Sequence, residues 1–418
     1  MSATISASAA SLDQRIDAAA AKTEAAVIAC RRDIHQHPEL GNRETRTSKL
    51  IADRLRELGI KVQTPVAHTG VIGILEGGKP GRVVALRADM DALPVAEQVD
   101  VPFRSTVRTT YNGQEVGVMH ACGHDAHVAI LLGVAEVLAG IRSEIPGTVK
   151  FLFQPAEEGA PHGEEGGAAL MVKEGALENP KVDAVFGLHV TSRFPVGEIA
   201  YRSGPMMAAV DSFTIKVQGK QTHGAYPWLG VDPIVVASQI VLGLQTIPSR
   251  QLDVSVAPSI VTVGSIHGGV RNNIIPDEVQ MLGTIRSLDP HMRDEIHRRI
   301  RRTAEDTATA GGAKAVVTIE TGYPITNNDP ALTEQMVPTL RRMTAALRVV
   351  NPTLGAEDFS FFQQKVPGLF FWVGTRPKTQ TAEEAPSNHS PKFFVDESGL
   401  LLGVRAMSHV AVDYLSKR

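Results

Sequence analysis

Val83-Val84-Ala85-Leu86-Arg87-Ala88-Asp89-Met90-Asp91-Ala92-Leu93-Pro94 begins as a short apolar run and ends in two carboxylates ahead of a proline. The apolar part reads as a buried strand, and carboxylates just past the carboxyl end of such a strand lie where open α/β sheets place their sites. Taken alone, Asp89 and Asp91 serve equally well as turn caps. The flanking chain is what decides.

Upstream, residues from Leu12 to about His35 show helical spacing that Pro38 ends, a second helix runs from about Thr45 to Leu58 and stops at Gly59, and Val71–Ile74 reads as a strand. Downstream, Val128–Ile141 is an apolar helical run. Thr148–Phe153 is a strand that releases Gln154-Pro155-Ala156-Glu157-Glu158-Gly159, Gly163–Gly167 opens a helix through Leu177 with an acidic first turn, and strand Ala184–Leu188 delivers His189. Helix and strand alternate as an α/β sheet requires. Three successive strands empty into residues able to hold a metal, which argues for one shared site.

Between these strands lies Met119-His120-Ala121-Cys122-Gly123-His124-Asp125-Ala126-His127, with three histidines, a cysteine and an aspartate in nine residues. A lone buried Cys is usually a small core hydrophobe. Here thiolate, imidazole and carboxylate crowd together, and these groups bind borderline transition metals; Gly123 lets Cys122 and His124 aim at one ion from a bent backbone. Of the adjacent Glu157 and Glu158, one can bind metal while the other faces the reacting water. His35 and His37, at the end of the first helix, read as satisfied structural groups.

From about Ala208 to Tyr323 the pattern changes to strands Phe213–Val217, Ile260–Ile266, Val279–Ile285 and Val316–Ile319, with helical stretches at Pro233–Leu244 and Pro290–Thr307. That β-α-β-β-α-β order reads as a ferredoxin-like α+β unit, 208–323, inserted between catalytic parts 1–207 and 324–418. Its chemistry-bearing candidates are His223, Asn273 and Arg286. The α/β pattern then resumes with a helix Leu332–Leu347, a strand Leu369–Val373 and a final helix Leu400–Leu415. His389 stands before that helix in a turn stiffened by Pro391. Phe359, Phe361 and Phe362, near the Gly355-Ala356-Glu357-Asp358 turn, would suit an apolar or aromatic acyl group but read first as core, since large aromatics are usually buried for packing.

With 418 residues, 43% hydrophobic and 21% charged, the chain is long enough for more than one globular domain. A net charge of -3 gives no reason to expect nucleic acid or an anionic membrane as partner, so small solutes are the expected partners. Two cysteines, Cys30 and Cys122, argue against a disulfide framework and for a reducing compartment, the cytoplasm. Met1 to Ala10 lacks the basic and apolar regions of an export signal and reads as a frayed tail.

On five segments the chain resembles the M20 family of metallopeptidases and amidohydrolases. They are Arg31 to Gly41, Arg87 to Pro94, His120 to His127, Gln154 to Gly159 with Gly187-Leu188-His189, and His389-Ser390-Pro391-Lys392-Phe393. The likeness is greatest to the branch of hippurate hydrolases, N-acyl-amino-acid amidohydrolases and plant auxin-conjugate hydrolases. It implies a mixed-sheet catalytic domain of the zinc-peptidase type with an inserted lid, hydrolysing the amide of an N-acyl amino acid. It further implies that Cys122, His124, Glu158, His189 and His389 hold two divalent ions, Mn²⁺ or Zn²⁺ before Co²⁺ or Ni²⁺. Glu157 resembles the general base, and Asp91 the aspartate that orients a ligand. Many relatives carry a histidine where Asp89 stands and an aspartate bridge where Cys122 stands, so His124 replaces a missing ligand. His223 resembles the lid histidine that steadies the tetrahedral intermediate, in its own or a partner's site. Asn273 and Arg286 resemble groups that grip the substrate's amide and carboxylate, and the lid implies a homodimer. The rivals are an M20 dipeptidase, carboxypeptidase or biosynthetic deacetylase, and a non-catalytic metal- or ligand-binding protein on the same fold. Glu157 speaks against the last, because a pure binding site has no use for a base.

Overall fold

A computed structural model of the chain describes residues 10–417. The tail expected at Met1 to Ala10 lies outside them, except for Ala10. The chain divides into two compact units, Met1–Gly204 with Asn328–Val350 and Phe361–Arg418, and Pro205–Asn327 with Asn351–Ser360.

In the first unit, strands β1 (Lys61–Val66), β2 (Gly70–Glu76), β3 (Lys79–Asp89), β6 (Pro146–Gln154), β7 (Ala184–Pro195) and β8 (Glu198–Tyr201) join the later strands Ala346–Val349 and Gly368–Arg376 in one sheet. A separate hairpin, β4 (Arg108–Tyr111) and β5 (Gln114–Gly117), stands apart from that sheet. The order across the sheet is β1, β2, β6, β3, β7, Gly368–Arg376, β8, Ala346–Val349. Strands β6, β3, β7 and Gly368–Arg376 run parallel in the middle, so their carboxyl ends share one edge. Asp89 lies level with Gln154 there, which sets the segments after β3 and β6 side by side.

Helices α1 (Leu12–Gln36), α2 (Thr45–Glu57), α3 (His124–Gly140) and α4 (Gly167–Lys173) belong to the same unit, with the C-terminal helix Leu400–Ser416. Ser11 and Gln14 close a reciprocal capping box that starts α1. α3 is apolar on nearly every face, as befits a helix packed on all sides. Its Ala129, Ile130 and Val134 share one core with Ile34 of α1, Leu86 of β3, Phe151 of β6 and Met407 of the C-terminal helix.

Three expectations are corrected. α4 begins at Gly167, with no acid in its first turn, because Glu164 instead pairs with Arg43 and accepts from Asn42 Nδ2 at 3.0 Å. The helix expected over Leu332–Leu347 spans Pro330–Met343; Thr344 turns extended, donates to the Gly197 carbonyl at 2.6 Å, and frees Ala346–Val349 to pair parallel with β8. His189 lies within β7 rather than past its end, since the strand continues to Pro195 alongside Val373 and Gly374.

The second unit is a four-stranded antiparallel sheet in the order Ser259–Gly268, Glu278–Ser287, Ala209–Gln218, Lys314–Thr321, with helices Pro233–Thr246 and Pro290–Ala310. Each helix has an aspartate cap, Asp232 or Asp289, followed by proline at the first helical position. Phe213, Ile215 and Val217 alternate inward from Ala209–Gln218 against Ile240, Ile296 and Ile300 of the helices. Within this core Asp211 accepts from Arg293 Nε at 2.9 Å, His297 Nε2 at 2.6 Å and the Gly322 N–H at 3.0 Å. Burial opposes its charge, but these donors outweigh burial and hold its carboxyl well below the usual range. Asp211→Ala should cost about 3–5 kcal/mol in denaturant unfolding, as breaking a buried ion pair does. Because the folded pKa is depressed, this stabilisation is present above the unfolded carboxyl value, about 3.9, and disappears as pH falls through the folded one. The wild-type advantage over the variant should therefore shrink in strong acid.

Candidate metal centre

The site forms where the segments after β3 and β6 meet the start of α3. Gly123 sits at φ 91° ahead of α3, and a Cβ there would come within 2.5 Å of Val190 Cγ2, so both backbone shape and packing demand glycine. This bend brings Cys122 and His124 to the same side. Ala156 also takes a left-handed backbone, at φ 50°, and its N–H donates to buried Glu44 at 2.9 Å. Past it, the Glu158 N–H donates to Asp91 Oδ2 at 2.9 Å. Glu44, pushed up to about 8 by burial and then by Asp91, was not visible as a site residue in the sequence.

His124 Nδ1 lies 3.2 Å from Asp91 Oδ1, while its buried Nε2 has no hydrogen-bond partner and lies 3.8 Å from Glu157 Oε2. His189 donates from Nδ1 to the Val190 carbonyl at 2.7 Å and turns Nε2 toward Cys122 Sγ at 3.4 Å. His389, at φ 72°, is tied by its N–H to the Ala121 carbonyl at 2.8 Å and puts Nε2 3.0 Å from Glu158 Oε1. Asn388 Nδ2 bridges the Cys122 and Val190 carbonyls at 3.0 and 3.2 Å, locking that turn against both.

Of the ligand-competent groups among the described residues, three overlap around the expected ligands, Cys122/His124/His189, Cys122/Glu158/His389 and His124/Glu157/Glu158, with the donor atoms of each within 4.8 Å of one another. Cys122 is common to two of them. A ring with one nitrogen held by a carboxylate or carbonyl and the other orphaned in a buried cluster is how a metal-binding histidine is oriented, so the residues fit a pair of divalent cations. Burial, with Glu158, pushes the Cys122 thiol up; Cys122 and Glu158 push His389 up to about 10; burial and His127 hold His189 well below its usual value. Cation binding displaces the protons on Cys122 and His389, so it strengthens as pH rises.

His127, in the same nine-residue cluster, is not a donor. Its Nδ1 is bonded to Asp89 Oδ1 at 2.5 Å and its Nε2 accepts from the Val190 N–H at 2.9 Å, so both nitrogens are taken. Asp89 is further paired with Arg87. Asp125 forms an ion pair with Arg31, Nε to Oδ2 2.7 Å, and accepts from His35 Nδ1 at 2.8 Å, and His35 Nε2 reaches Glu97 at 3.0 Å, making His35 part of a buried charge network. Replacing Asp91 by Ala releases the His124 ring and should weaken metal binding about 10–100-fold. Competition with a chromogenic chelator measures this.

In the second unit, His223 pairs across a two-residue ladder with Ile274, and the Gly224 N–H donates to the Asn273 carbonyl at 2.9 Å, so His223 and Asn273 share one corner. Arg286 does not join them. His223's corner is anchored at Asp277, while Arg286 lies near the far end of Glu278–Ser287, roughly 30 Å away at about 3.3 Å per residue. Burial lowers the Arg286 pKa, and its guanidinium donates to Thr284 Oγ1 at 3.0 Å.

Residues 85–413 match the model of a family described as peptidase family M20/M25/M40. The chain is 44% identical over 393 residues to thermostable carboxypeptidase 2 of Saccharolobus solfataricus, covering 94% of this chain and 96% of that protein. It is 39% identical over 395 residues to IAA-amino acid hydrolase ILR1-like 4 of Arabidopsis thaliana, covering 93% and 86%. A crystal structure described as a dinuclear metal binding peptidase from the M20 family, from Bacillus subtilis, superposes with a TM-score of 0.79 at 35% identity, covering 95% of this chain and all of that one.

Proposed function

Since the chain belongs to peptidase family M20/M25/M40, we propose that it hydrolyses the amide bond of N-acyl amino acids to a carboxylic acid and a free amino acid. Amide hydrolysis at a dinuclear centre is the coarse chemistry that the family match and the ligand groups support. The observation that carries the finer reading is the buried Glu157 carboxylate beside the ligand groups, next in sequence to Glu158. The names of two relatives, a carboxypeptidase and an IAA-amino acid hydrolase, agree on the bond. Each describes an amide joining an acyl group to an amino acid with a free carboxylate.

Held by Cys122, His124, Glu158, His189 and His389, two divalent cations, Mn²⁺ or Zn²⁺, would supply Lewis acidity for the carbonyl and lower the pKa of water. Glu157 takes the attacking water's proton and returns it to the leaving amine, which needs it because an amide anion is a poor leaving group. Asp91 keeps the His124 ring in the orientation that presents Nε2. We assign His223 as donor to the developing oxyanion, a contribution of about 3 kcal/mol for such groups, and Asn273 and Arg286 to substrate binding, the separation of Arg286 from the His223 and Asn273 corner being bridged by the homodimer, in which the two sets reach one substrate from different subunits.

The free thiols Cys30 and Cys122 suit a reducing compartment, the cytoplasm, and among the described residues no helix is long and apolar enough to cross a membrane. A homodimer through the second unit is part of the reading, supported by Trp228 and Leu242, which are 73% and 72% exposed there. The functional test compares amine release from hippurate and N-acetyl amino acids with release from free dipeptides. Faster cleavage of the acyl amino acids is expected; cleavage of dipeptides alone would replace this reading with a dipeptidase.

A further inference from the structure

Beside Asp91 and Glu158 the first unit holds a cavity of about 480 Å³ that none of the steps above uses. Its floor is the segment Asp91–Pro94. That floor is fixed on both sides, by the Ala92 N–H donating to the Glu39 carbonyl at 2.8 Å and the Leu93 N–H to the Met119 carbonyl at 3.0 Å. One wall is Leu40 and its neighbours; the facing wall is the hairpin β4–β5 with the residues leading into it. Asn112 and Gly113 turn the hairpin with φ 49° and 76°, the left-handed pair that matches the twist of two short antiparallel strands.

The lining chemistry indicates which part of a substrate belongs there. Leu40, Ala92, Pro94, Val107 and Val118 are apolar, and Tyr111 offers a ring. The cations on the rim are both engaged, Arg43 with Glu164 and Arg108 with Glu115. At the inner end stand the carboxylates Asp91 and Glu158. A substrate carboxylate would meet guanidinium groups already paired with Glu164 and Glu115. An apolar group would meet a surface that gains by losing water. The volume falls within the roughly 300–1,000 Å³ typical of small-molecule pockets, and an acetyl group would leave most of it wet.

We infer that this cavity receives the acyl group, that the preferred acyl groups are bulky and apolar, aromatic rings included, and that hairpin residues Val107, Thr109 and Tyr111 set their size. The inference rests on the proposed N-acyl amino acid hydrolysis. The amino-acid half of the substrate lies on the other side of the scissile bond and does not touch the hairpin. A wall made of one exposed hairpin can change length and side chains without disturbing the metal ligands, which come from other segments.

Thr109→Trp and Val107→Phe both fill the cavity from the hairpin side. The measurement is kcat/KM for N-benzoyl and N-acetyl derivatives of one amino acid, and for N-acetyl derivatives of several amino acids. In both variants the benzoyl-to-acetyl ratio should fall at least tenfold, within the roughly 10–200-fold that filling an apolar pocket produces. The ranking of amino acids should hold. An unmoved ratio in an active enzyme, or a changed amino-acid ranking with the ratio intact, overturns the acyl assignment and leaves the proposed function standing. A wild-type protein that cleaves no acyl amino acid overturns both.

Discussion

Glu157→Gln is expected to keep its metal and lose hydrolysis by about 10²–10⁴-fold, the range that a positioned general base contributes. At about 1.36 kcal/mol per power of ten this is about 3–5 kcal/mol of transition-state stabilisation. Glutamine has nearly the same shape, so it fills the same buried space 3.8 Å from His124 Nε2, but it cannot accept the water's proton. Metal content and turnover measured on one preparation separate the base from the ligands. Wild-type turnover in a metal-replete variant would remove Glu157 from the mechanism.

Cys122→Ala should act in the opposite way, lowering metal content and activity together. Cys122 belongs to two of the ligand groups at once, so its removal takes a donor from both, whereas removing Asp91 takes none and loosens only the His124 ring and the Glu158 backbone. The loss of affinity should exceed the about 10–100-fold expected for an orienting residue. Elemental analysis after dialysis, with circular dichroism to confirm folding, reads the result. A normal metal count with full activity would strike Cys122 from the ligand set.

The central strands were legible because the later parts of β3 and β6 are buried on both faces and carry the short apolar runs Val83–Leu86 and Phe151–Phe153. The helix ends at Pro38 and Gly59 were legible because those residues stop helices for steric reasons. Edge strands were not. β1 is largely exposed and polar, and Ala346–Val349 follows a helical pattern that is broken only at Thr344. The hairpin β4–β5 did carry a signal, the dipeptide Asn112-Gly113, that periodicity alone passes over.

Within the site, residue types and strand ends pointed to a metal centre, and the family resemblance proposed which residues are its ligands. His124 and His127 cannot be told apart by spacing. Only the bonds of His127 to Asp89 and Val190 show that one ring is occupied while the other keeps an orphaned nitrogen. Asn388 and Glu44 were invisible for the same reason, since each acts by holding backbone of distant segments. In the second unit, the resemblance gave His223 to the tetrahedral intermediate, in its own or a partner's site, and Asn273 and Arg286 to the substrate; within one chain, strand register separates Arg286 from the corner that His223 and Asn273 share.

The central claim is that a pair of cations held by this donor set drives amide hydrolysis. Its most direct test is to strip the protein of metal, restore Mn²⁺ or Zn²⁺ stepwise, and follow bound metal per chain and amine release from hippurate in the same samples. Release should be absent at the start and rise as occupancy approaches two per chain, the dinuclear state of the related peptidase. Undiminished release from the stripped protein would contradict the account.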